Sequence, residues 1–169
     1  SDVCSSDLGT LTEAHIRLIR GVDPTGADSE DVLRLAWLNS HFETGLRSPL
    51  DAAILEHTAA AQSGWSKVDE VPFGFERRRV SILVERTGER LLIVKGAPED
   101  MFGLCDRCIS AGGGAAPLDR GRLDGIHAVF EQLSADGFRL LAIAYRPAAA
   151  TQTHVSAADE QGLIFAGFA

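Results

Sequence analysis

Two apolar runs joined by a short polar link form the clearest pattern in the chain. In the first run, Val80, Ile82 and Val84 occupy alternate positions, which predicts a strand with one apolar face. Residues 91–94 of the second run are continuously apolar, as is typical of a strand buried on both faces. The link at residues 87–89 reads Thr-Gly-Glu and predicts the turn of a β-hairpin.

The remaining periodic stretches predict helices and further strands. Ser29 precedes an amphipathic helix that reaches about Asn39, and Pro49 opens a second helix. Residues 119–136 have apolar positions at spacings of three and four, which predicts a longer helix that Gly137 ends. Further strands are predicted at residues 65–71, 138–146 and 162–169.

Composition fits one globular domain and excludes several classes of protein. The chain has 169 residues, 45% of them hydrophobic and 24% charged. No apolar run approaches the roughly 18 residues of a membrane helix, and no secretory signal is present. The formal net charge of −8 argues against a general nucleic-acid or anionic-membrane surface. Three cysteines, an odd number, do not suggest a disulfide framework.

The hairpin brings an aromatic residue and several cations close to small residues. Its two outer ends meet, and they carry Phe73, the three arginines of residues 77–79, Lys95, Gly96 and Ala97. An aromatic face can stack on a base, and fixed cations can bind phosphate. These residue types in this arrangement predict a nucleotide site.

Three segments resemble one known family. Residues 95–99 read K-G-A-P-E, residues 72–81 read P-F-G-F-E-R-R-R-V-S, and residues 38–46 read L-N-S-H-F-E-T-G-L. In order, they resemble the nucleotide-binding (N) domain of P-type cation-transporting ATPases, and the last two most resemble the bacterial magnesium-transporting branch. The resemblance runs from Gly9 to Ala169. It implies an α+β fold, with a twisted antiparallel β-sheet flanked by helices.

The resemblance also implies roles for individual residues. Phe73 matches the aromatic residue that stacks on adenine, and Lys95 matches the lysine of the K-G-A-P-E motif. Gly96 and Ala97 lack bulk, so a base or ribose can approach the backbone there. Asp51 matches an acidic residue that faces the adenine amino group.

Two arginines complete the predicted nucleotide site. Arg78 matches the cation that approaches the phosphates, and Arg139, in the segment G-F-R-L-L-A-I-A, matches the arginine that reaches ATP. We expect Phe73, Lys95 and Arg139 to line a cleft. Replacing any of these three by alanine is therefore expected to leave folding nearly intact.

The first residues depart from the family pattern. Residues 9–13 resemble the second half of the phosphorylation motif D-K-T-G-T-L-T, but Asp7 lies one position too late to match its aspartate. We expect no catalytic or metal-ligating residue in the chain, and no turnover by the chain alone. The expected divisions are an artefactual or disordered N-terminus at 1–8, a hinge segment from the phosphorylation domain at 9–22, the nucleotide-binding domain at 23–160 and a return hinge strand at 161–169.

For a parent protein, the resemblance implies a membrane ion pump that phosphorylates an aspartate from MgATP. Phosphate and water oxygens would supply most of the ligands of the magnesium ion. The expected partners are ATP or ADP and the phosphorylation and actuator domains of the same parent chain, without nucleic acid. Contact with the membrane would come only from transmembrane segments outside this sequence, with the domain at the cytoplasmic face of the cell membrane.

Three alternatives stay open from the sequence. A calcium pump or other P-type branch shares K-G-A-P-E, because residues outside this chain choose the transported ion. An interaction module could keep the fold without using ATP, although the presence of Phe73, Lys95 and Arg139 argues against this. A thiol–disulfide enzyme could use Cys105 and Cys108, which form a C-x-x-C, but two free thiols are the simpler interpretation.

Overall fold

A computed structural model gives the fold. It describes residues 21–44, 49–57, 64–74, 76, 78–109, 114–137, 140–149 and 151–169. Within these ranges no helix is long and apolar enough to cross a membrane.

The predicted helices and strands occur in their predicted order, and the structure adds strands between residues 105 and 117 that were not predicted. The helices are α1 (Glu30–Phe42), α2 (Pro49–His57), α3 (Pro98–Met101) and α4 (Arg120–Ala135). The strands are β1 (Ser66–Val71), β2 (Arg79–Arg86), β3 (Glu89–Gly96), β4 (Cys105–Ile109), β5 (Ala115–Pro117), β6 (Ala142–Ala148) and β7 (Leu163–Phe168). Short 3₁₀ turns lie at Phe102–Leu104 and Ala157–Asp159.

Side-chain caps fix the starts of two helices. The hydroxyl of Ser29 accepts a hydrogen bond from the backbone N–H of Val32, and the carboxylate of Asp119 accepts one from Arg122. Such caps satisfy backbone donors that have no partner inside the helix. Both predicted helix starts are confirmed, and α1 continues three residues beyond the predicted Asn39.

One seven-stranded sheet forms the framework, in the order β1-β2-β3-β6-β7-β4-β5. The predicted hairpin is confirmed, with Val80 opposite Lys95 and Arg86 opposite Glu89. The fold is α+β as predicted, but the sheet is mixed, because β4 runs parallel to β7. The crossover through α4 and β6 separates these two strands in sequence, which allows a parallel pair.

Apolar side chains pack on both faces of the sheet. Helices α1 and α2 cover one face, and α3 and α4 contribute to the core on the other. The first core includes Val32, Leu35, Leu38, Ile54, Ile82, Ile93 and Ile143. The second includes Leu83, Leu92, Met101, Ile126, Leu133, Phe165 and Phe168.

Strand β2 is buried on both faces, not on one as its alternation predicted. Ser81 and Leu83 on one face have no exposed surface, and neither do Ile82 and Val84 on the other. Ser81 is tolerated there because its hydroxyl donates a hydrogen bond to the buried carboxylate of Glu160.

Strands β6 and β7 differ from the prediction, β6 in its extent and β7 in its position within the sheet. Strand β6 extends through Pro147, which was predicted to begin a loop. Pro147 pairs with Leu91 of β3 on one side. On the other side β7 pairs β6 only between Ala142 and Tyr145, so no strand lies there to need a donor from the proline. Strand β7, predicted as a return strand, lies between β6 and β4 and is buried along its whole length.

Gly96 permits a close backbone approach at the open end of the hairpin. A Cβ atom at this position would lie 2.5 Å from the Cβ of Arg79 and 2.9 Å from the carbonyl oxygen of Arg78. The adjacent chain cannot accept even a methyl group without moving. Glycine here is therefore required by packing between strands β2 and β3.

We predict that Gly96→Ala lowers the free energy of unfolding by about 1–3 kcal/mol, because the added methyl group displaces the start of β2. Gly125→Ala is the matched control. A Cβ at Gly125 meets no atom of the described chain within 4 Å, and this glycine lies inside helix α4. The control should raise stability by about 0.5–1 kcal/mol in urea unfolding. Equal effects of the two substitutions would contradict the packing role.

Candidate functional site

The open end of the β2–β3 hairpin has an irregular backbone. Arg78 adopts a positive φ of 53°, which is uncommon for a residue with a side chain. Its N–H donates to the carbonyl of Gly74 at 2.6 Å, and its carbonyl accepts from the N–H of Ala97 at 3.1 Å. These bonds hold the segment that follows Phe73 against the K-G-A-P-E segment.

A cavity of about 410 Å³ opens beside this backbone. Its lining includes Phe73, Arg78, Ala97, Phe130 and Leu140. The Phe73 side chain is 46% exposed, whereas the other large hydrophobic side chains of the described residues are buried or half-buried. An accessible aromatic face in a cavity of this size is suited to stacking on a planar ring.

Arg78 is oriented by two carboxylates from the start of α3. Its Nε donates to Asp100 at 2.7 Å, and its guanidinium lies 3.7 Å from Glu99. The hydrogen bond to Asp100 raises the pKa of Arg78, and the same bond lowers the pKa of Asp100. About half of the Arg78 side chain stays exposed, so an anion could exchange with these partners.

Lys95 lies in a buried polar cluster on the face that α1 and α2 cover. Its ammonium donates to the hydroxyl of Ser40 at 2.7 Å, to Glu43 at 3.4 Å, and to Asp51. The hydroxyl of Ser40 also donates to Asp51 at 3.0 Å. We call these four residues the Lys95 cluster.

The Lys95 cluster is enclosed by protein. The side chains of Lys95, Glu43 and Asp51 are 4%, 2% and 7% exposed. An ammonium has three N–H donors, and three protein oxygens accept from this one. The expectation that Lys95 lines a cleft is therefore wrong. We now expect its replacement to destabilise the fold, because removing one member of a buried ion pair leaves charges without compensation.

The structure places the predicted site residues in two groups. Phe73, Arg78 and Ala97 share the cavity, whereas Lys95 and Asp51 share the buried cluster. Gly96 joins the two groups along the backbone. Arg139 lies outside the described residues, so its predicted role stays a prediction.

Glu43 and Ser40 were not predicted as site residues. Ser40 lies near the end of α1 and Glu43 is the residue that caps this end, and both lie within the segment L-N-S-H-F-E-T-G-L that carries the resemblance. The available signal was polarity at buried positions at this end of the helix: Asn39, Ser40 and Glu43 are all buried. Burial raises the pKa of Glu43 to about 7, with Lys95 opposing the rise and Asp51 adding to it.

A second buried ion pair was also missed. Arg79 donates to Glu160 at 2.8 Å, and the side chains are 15% and 0% exposed. This pair joins the start of β2 to the segment just before β7. Arg79, the last of the three arginines at residues 77–79, therefore belongs to the interior.

Comparison with known proteins identifies the family. Residues 26–169 match the family described as P-type ATPase, cytoplasmic domain N. The chain belongs to this family. That match covers every described element from α1 to β7, including both groups of site residues.

The sequence identity to a magnesium-transporting relative is higher than the identity to two calcium-transporting relatives. Magnesium-transporting ATPase, P-type 1 of Escherichia coli K12 is 40% identical over 98% of this chain and 19% of that protein. Calcium-transporting ATPase 1 of Lactococcus lactis is 24% identical over 99% of this chain and 21% of that protein. Calcium-transporting ATPase of Bacillus subtilis is 32% identical over 70% of this chain and 14% of that protein. The chain thus spans about a fifth or less of each relative.

The cysteines of this N domain do not support a thiol–disulfide enzyme. Cys105 and Cys108 are both free and lie on strand β4. Burial raises the pKa of Cys105 to about 12 and also raises the pKa of Cys108. A thiolate is the reacting species, so both groups are poor nucleophiles. In the described ranges no cluster of three or more His, Cys, Asp or Glu residues is placed to hold a metal ion.

We predict that Lys95→Met lowers the free energy of unfolding by about 3–5 kcal/mol, because Asp51 and Glu43 lose their buried cation. Arg78→Met is the matched control, since it removes a cation whose ion pairs are largely in solvent. The control should leave the urea midpoint nearly unchanged. Similar small shifts for both variants would show that the Lys95 cluster does not support the fold.

Proposed function

We propose that this chain is the adenine-nucleotide-binding N domain of a magnesium-transporting P-type ATPase. The parent protein would use MgATP to phosphorylate an aspartate and would couple this step to transport of the ion across the membrane. The observation that carries the nucleotide site is the exposed Phe73 ring, which lines the 410 Å³ cavity together with Arg78 and Ala97. Membership of the N-domain family supports the nucleotide as ligand.

The residues of the cavity fit an adenine nucleotide. The base would stack on Phe73, and the small side chain of Ala97 leaves the backbone accessible nearby. Arg78, which lines the same cavity, would offer a guanidinium to a phosphate in exchange for Asp100. Arg139 is proposed to contact the phosphates or ribose.

Lys95 and Asp51 are proposed to support the site from the face of the sheet opposite the cavity. Their mutual ion pair fixes the strand from which Gly96 and Ala97 extend. A direct contact between Lys95 and the nucleotide requires the ammonium to exchange one of its three oxygen partners. Glu43 is the most distant of the three at 3.4 Å, whereas the Ser40 oxygen lies at 2.7 Å.

Magnesium is proposed to arrive with ATP and to keep phosphate and water ligands. Mg²⁺ bound to nucleotides commonly takes most of its octahedral shell from phosphates and water. The domain would then orient MgATP, with other domains of the parent chain supplying the reacting groups. The assignment to the magnesium-transporting branch is proposed from the 40% sequence identity to relatives with that name.

We predict weak binding with a preference for adenine. Base stacking dominates, so ATP and ADP should bind with similar dissociation constants of about 0.1–10 mM, and GTP should bind more weakly. Phe73→Ala should weaken both adenine nucleotides about 5- to 150-fold and leave the melting temperature nearly unchanged. NMR titration beside calorimetric melting measures both effects.

Phe73→Leu is the matched control for this titration, because it keeps an apolar side chain and removes the aromatic face. It should also bind weakly. Full affinity in Phe73→Leu would show that stacking is not the source of binding. Absence of adenine-dependent shifts near Phe73 at high nucleotide concentration would overturn the site.

A further inference from the structure

We propose that Asp100 is a specificity-determining residue of the nucleotide site: its carboxylate binds Arg78 and competes there with the phosphate groups of the ligand. As a result, the domain gains little affinity from phosphates and selects its ligand mainly by the base. This inference rests on the proposed function, because it takes the cavity beside Phe73 to hold an adenine nucleotide. It gives Asp100 a role that the family resemblance does not imply.

The guanidinium of Arg78 presents one of its edges to carboxylates from the start of α3. Its Nε donates to Asp100 at 2.7 Å, and its Nη2 lies 3.7 Å from Glu99, which also lines the cavity. Such an edge binds a carboxylate or a phosphate through two parallel N–H···O bonds. Asp100 therefore takes a donor that a phosphate at this edge would use, and the two anions compete.

Backbone hydrogen bonds through Ala97 keep the two partners of the ion pair together. The N–H of Ala97 donates to the carbonyl of Arg78, and the carbonyl of Ala97 accepts from the N–H of Asp100, each at 3.1 Å. One residue thus links the backbones of the arginine and the aspartate. Because no distant segment has to be ordered before the side chains meet, the carboxylate has a high effective concentration at the guanidinium.

The backbone of Arg78 also fixes the point from which its side chain extends. Its φ is 53°, and its N–H is bonded to the carbonyl of Gly74. A residue with a side chain keeps such a conformation only where its neighbours hold it. Both backbone polar groups of Arg78 are bonded, so the side chain starts from a fixed position beside the cavity. A phosphate must therefore meet this guanidinium where Asp100 already binds it.

The neighbouring Arg79 is paired with a different carboxylate. Its Nε donates to Glu160 at 2.8 Å, and the hydroxyl of Ser81 donates to the other oxygen of that buried carboxylate. The charge of Asp100 is balanced mainly by Arg78, whose hydrogen bond lowers the pKa of this carboxyl group. Asp100 is therefore ionised near neutral pH and competes at full charge.

The ion pair is exposed enough for a ligand to displace it. The side chains of Arg78 and Asp100 are 49% and 35% exposed. Ion pairs with this access to solvent are weak, so the carboxylate holds the guanidinium for most but not all of the time. The apparent dissociation constant of a phosphate ligand rises as the free fraction of Arg78 falls. Loss of the competing carboxylate should therefore strengthen phosphate binding about two- to sixfold.

The test compares the affinities of ADP and adenosine for the unmodified chain and for Asp100→Asn, without magnesium. Asparagine keeps the size of the side chain and removes its charge. ADP should bind Asp100→Asn about two- to sixfold more tightly, whereas adenosine, which has no phosphate, should bind both chains equally. NMR titration gives the dissociation constants. The melting temperature should stay nearly unchanged, because exposed ion pairs contribute little to stability.

A second background separates competition for Arg78 from a general effect of charge. Removing any negative charge near the cavity favours an anionic ligand. The same titrations are therefore made with Arg78→Met and with Arg78→Met combined with Asp100→Asn. Competition predicts that most of the gain in ADP affinity disappears once Arg78 is replaced. An equal gain in both backgrounds would show that Asp100 acts by its charge alone and would overturn the inference.

Glu89→Gln is the matched control, because it also removes a carboxylate from an exposed pair with an arginine. Glu89 lies 3.4 Å from Arg86, and the two side chains are 45% and 44% exposed. This pair lies at the turn of the β2–β3 hairpin, whereas Arg78 precedes the other end. The control should leave the affinities of ADP and adenosine unchanged.

The outcomes separate this inference from the proposed function. If both ligands bind the unmodified chain but ADP gains nothing from Asp100→Asn, or adenosine gains as much as ADP, the inference is wrong and the proposed function stands. If neither ligand binds the unmodified chain, the proposed function falls and the inference falls with it. A gain for ADP alone that depends on Arg78, with Glu89→Gln unchanged, supports the inference.

Discussion

The buried ammonium of Lys95 is the interaction on which the arrangement of this domain depends. It joins three elements that are distant in sequence: β3 supplies the cation, α1 and the residue that caps its end supply Ser40 and Glu43, and α2 supplies Asp51. A charge enclosed to this degree is stable only where its partners are fixed around it. The apolar contacts of α1 and α2 with the sheet bring those partners into place, and the polar cluster then sets how the two helices meet β3.

The cavity beside Phe73 depends on the same strand. Beyond Lys95, Gly96 allows the two chains of the hairpin to approach closely, and Ala97 bonds to the backbone of Arg78. That bond holds the segment following Phe73 beside the start of α3. The two faces of the sheet therefore have different roles at this end: one holds the buried ion pair, and the other exposes an aromatic ring in a cavity. A ligand at the cavity would contact a backbone whose position the Lys95 cluster fixes.

Much of this fold could be predicted from the sequence, because the signals were local. The hairpin turn at residues 87–89, the cap at Ser29 and the period of α4 each predicted an element that the structure contains. The parallel pairing of β4 with β7 could not be predicted, since strand pairing depends on contacts between distant segments. Proline at position 147 misled the strand boundary because its tolerance depends on how far the neighbouring strand extends.

The candidate site was predicted less completely than the fold. The motif around Lys95 indicated a functional lysine but not its burial, because burial depends on which helix packs over the strand. The roles of Glu43 and Glu160 were missed for the same reason: a lone glutamate in a sequence carries no sign of its distant partner. Residue types therefore predicted a nucleotide site, whereas the pairing of charges required the structure.

The crystal structure of this chain with bound ADP is the most direct test of the account. The account predicts adenine stacked on the ring of Phe73, in the cavity beside Arg78 and Ala97, with Asp51 still bonded to Lys95. Adenine bound at another surface, or a Lys95 side chain turned out of its cluster into solvent with the fold unchanged, would contradict it.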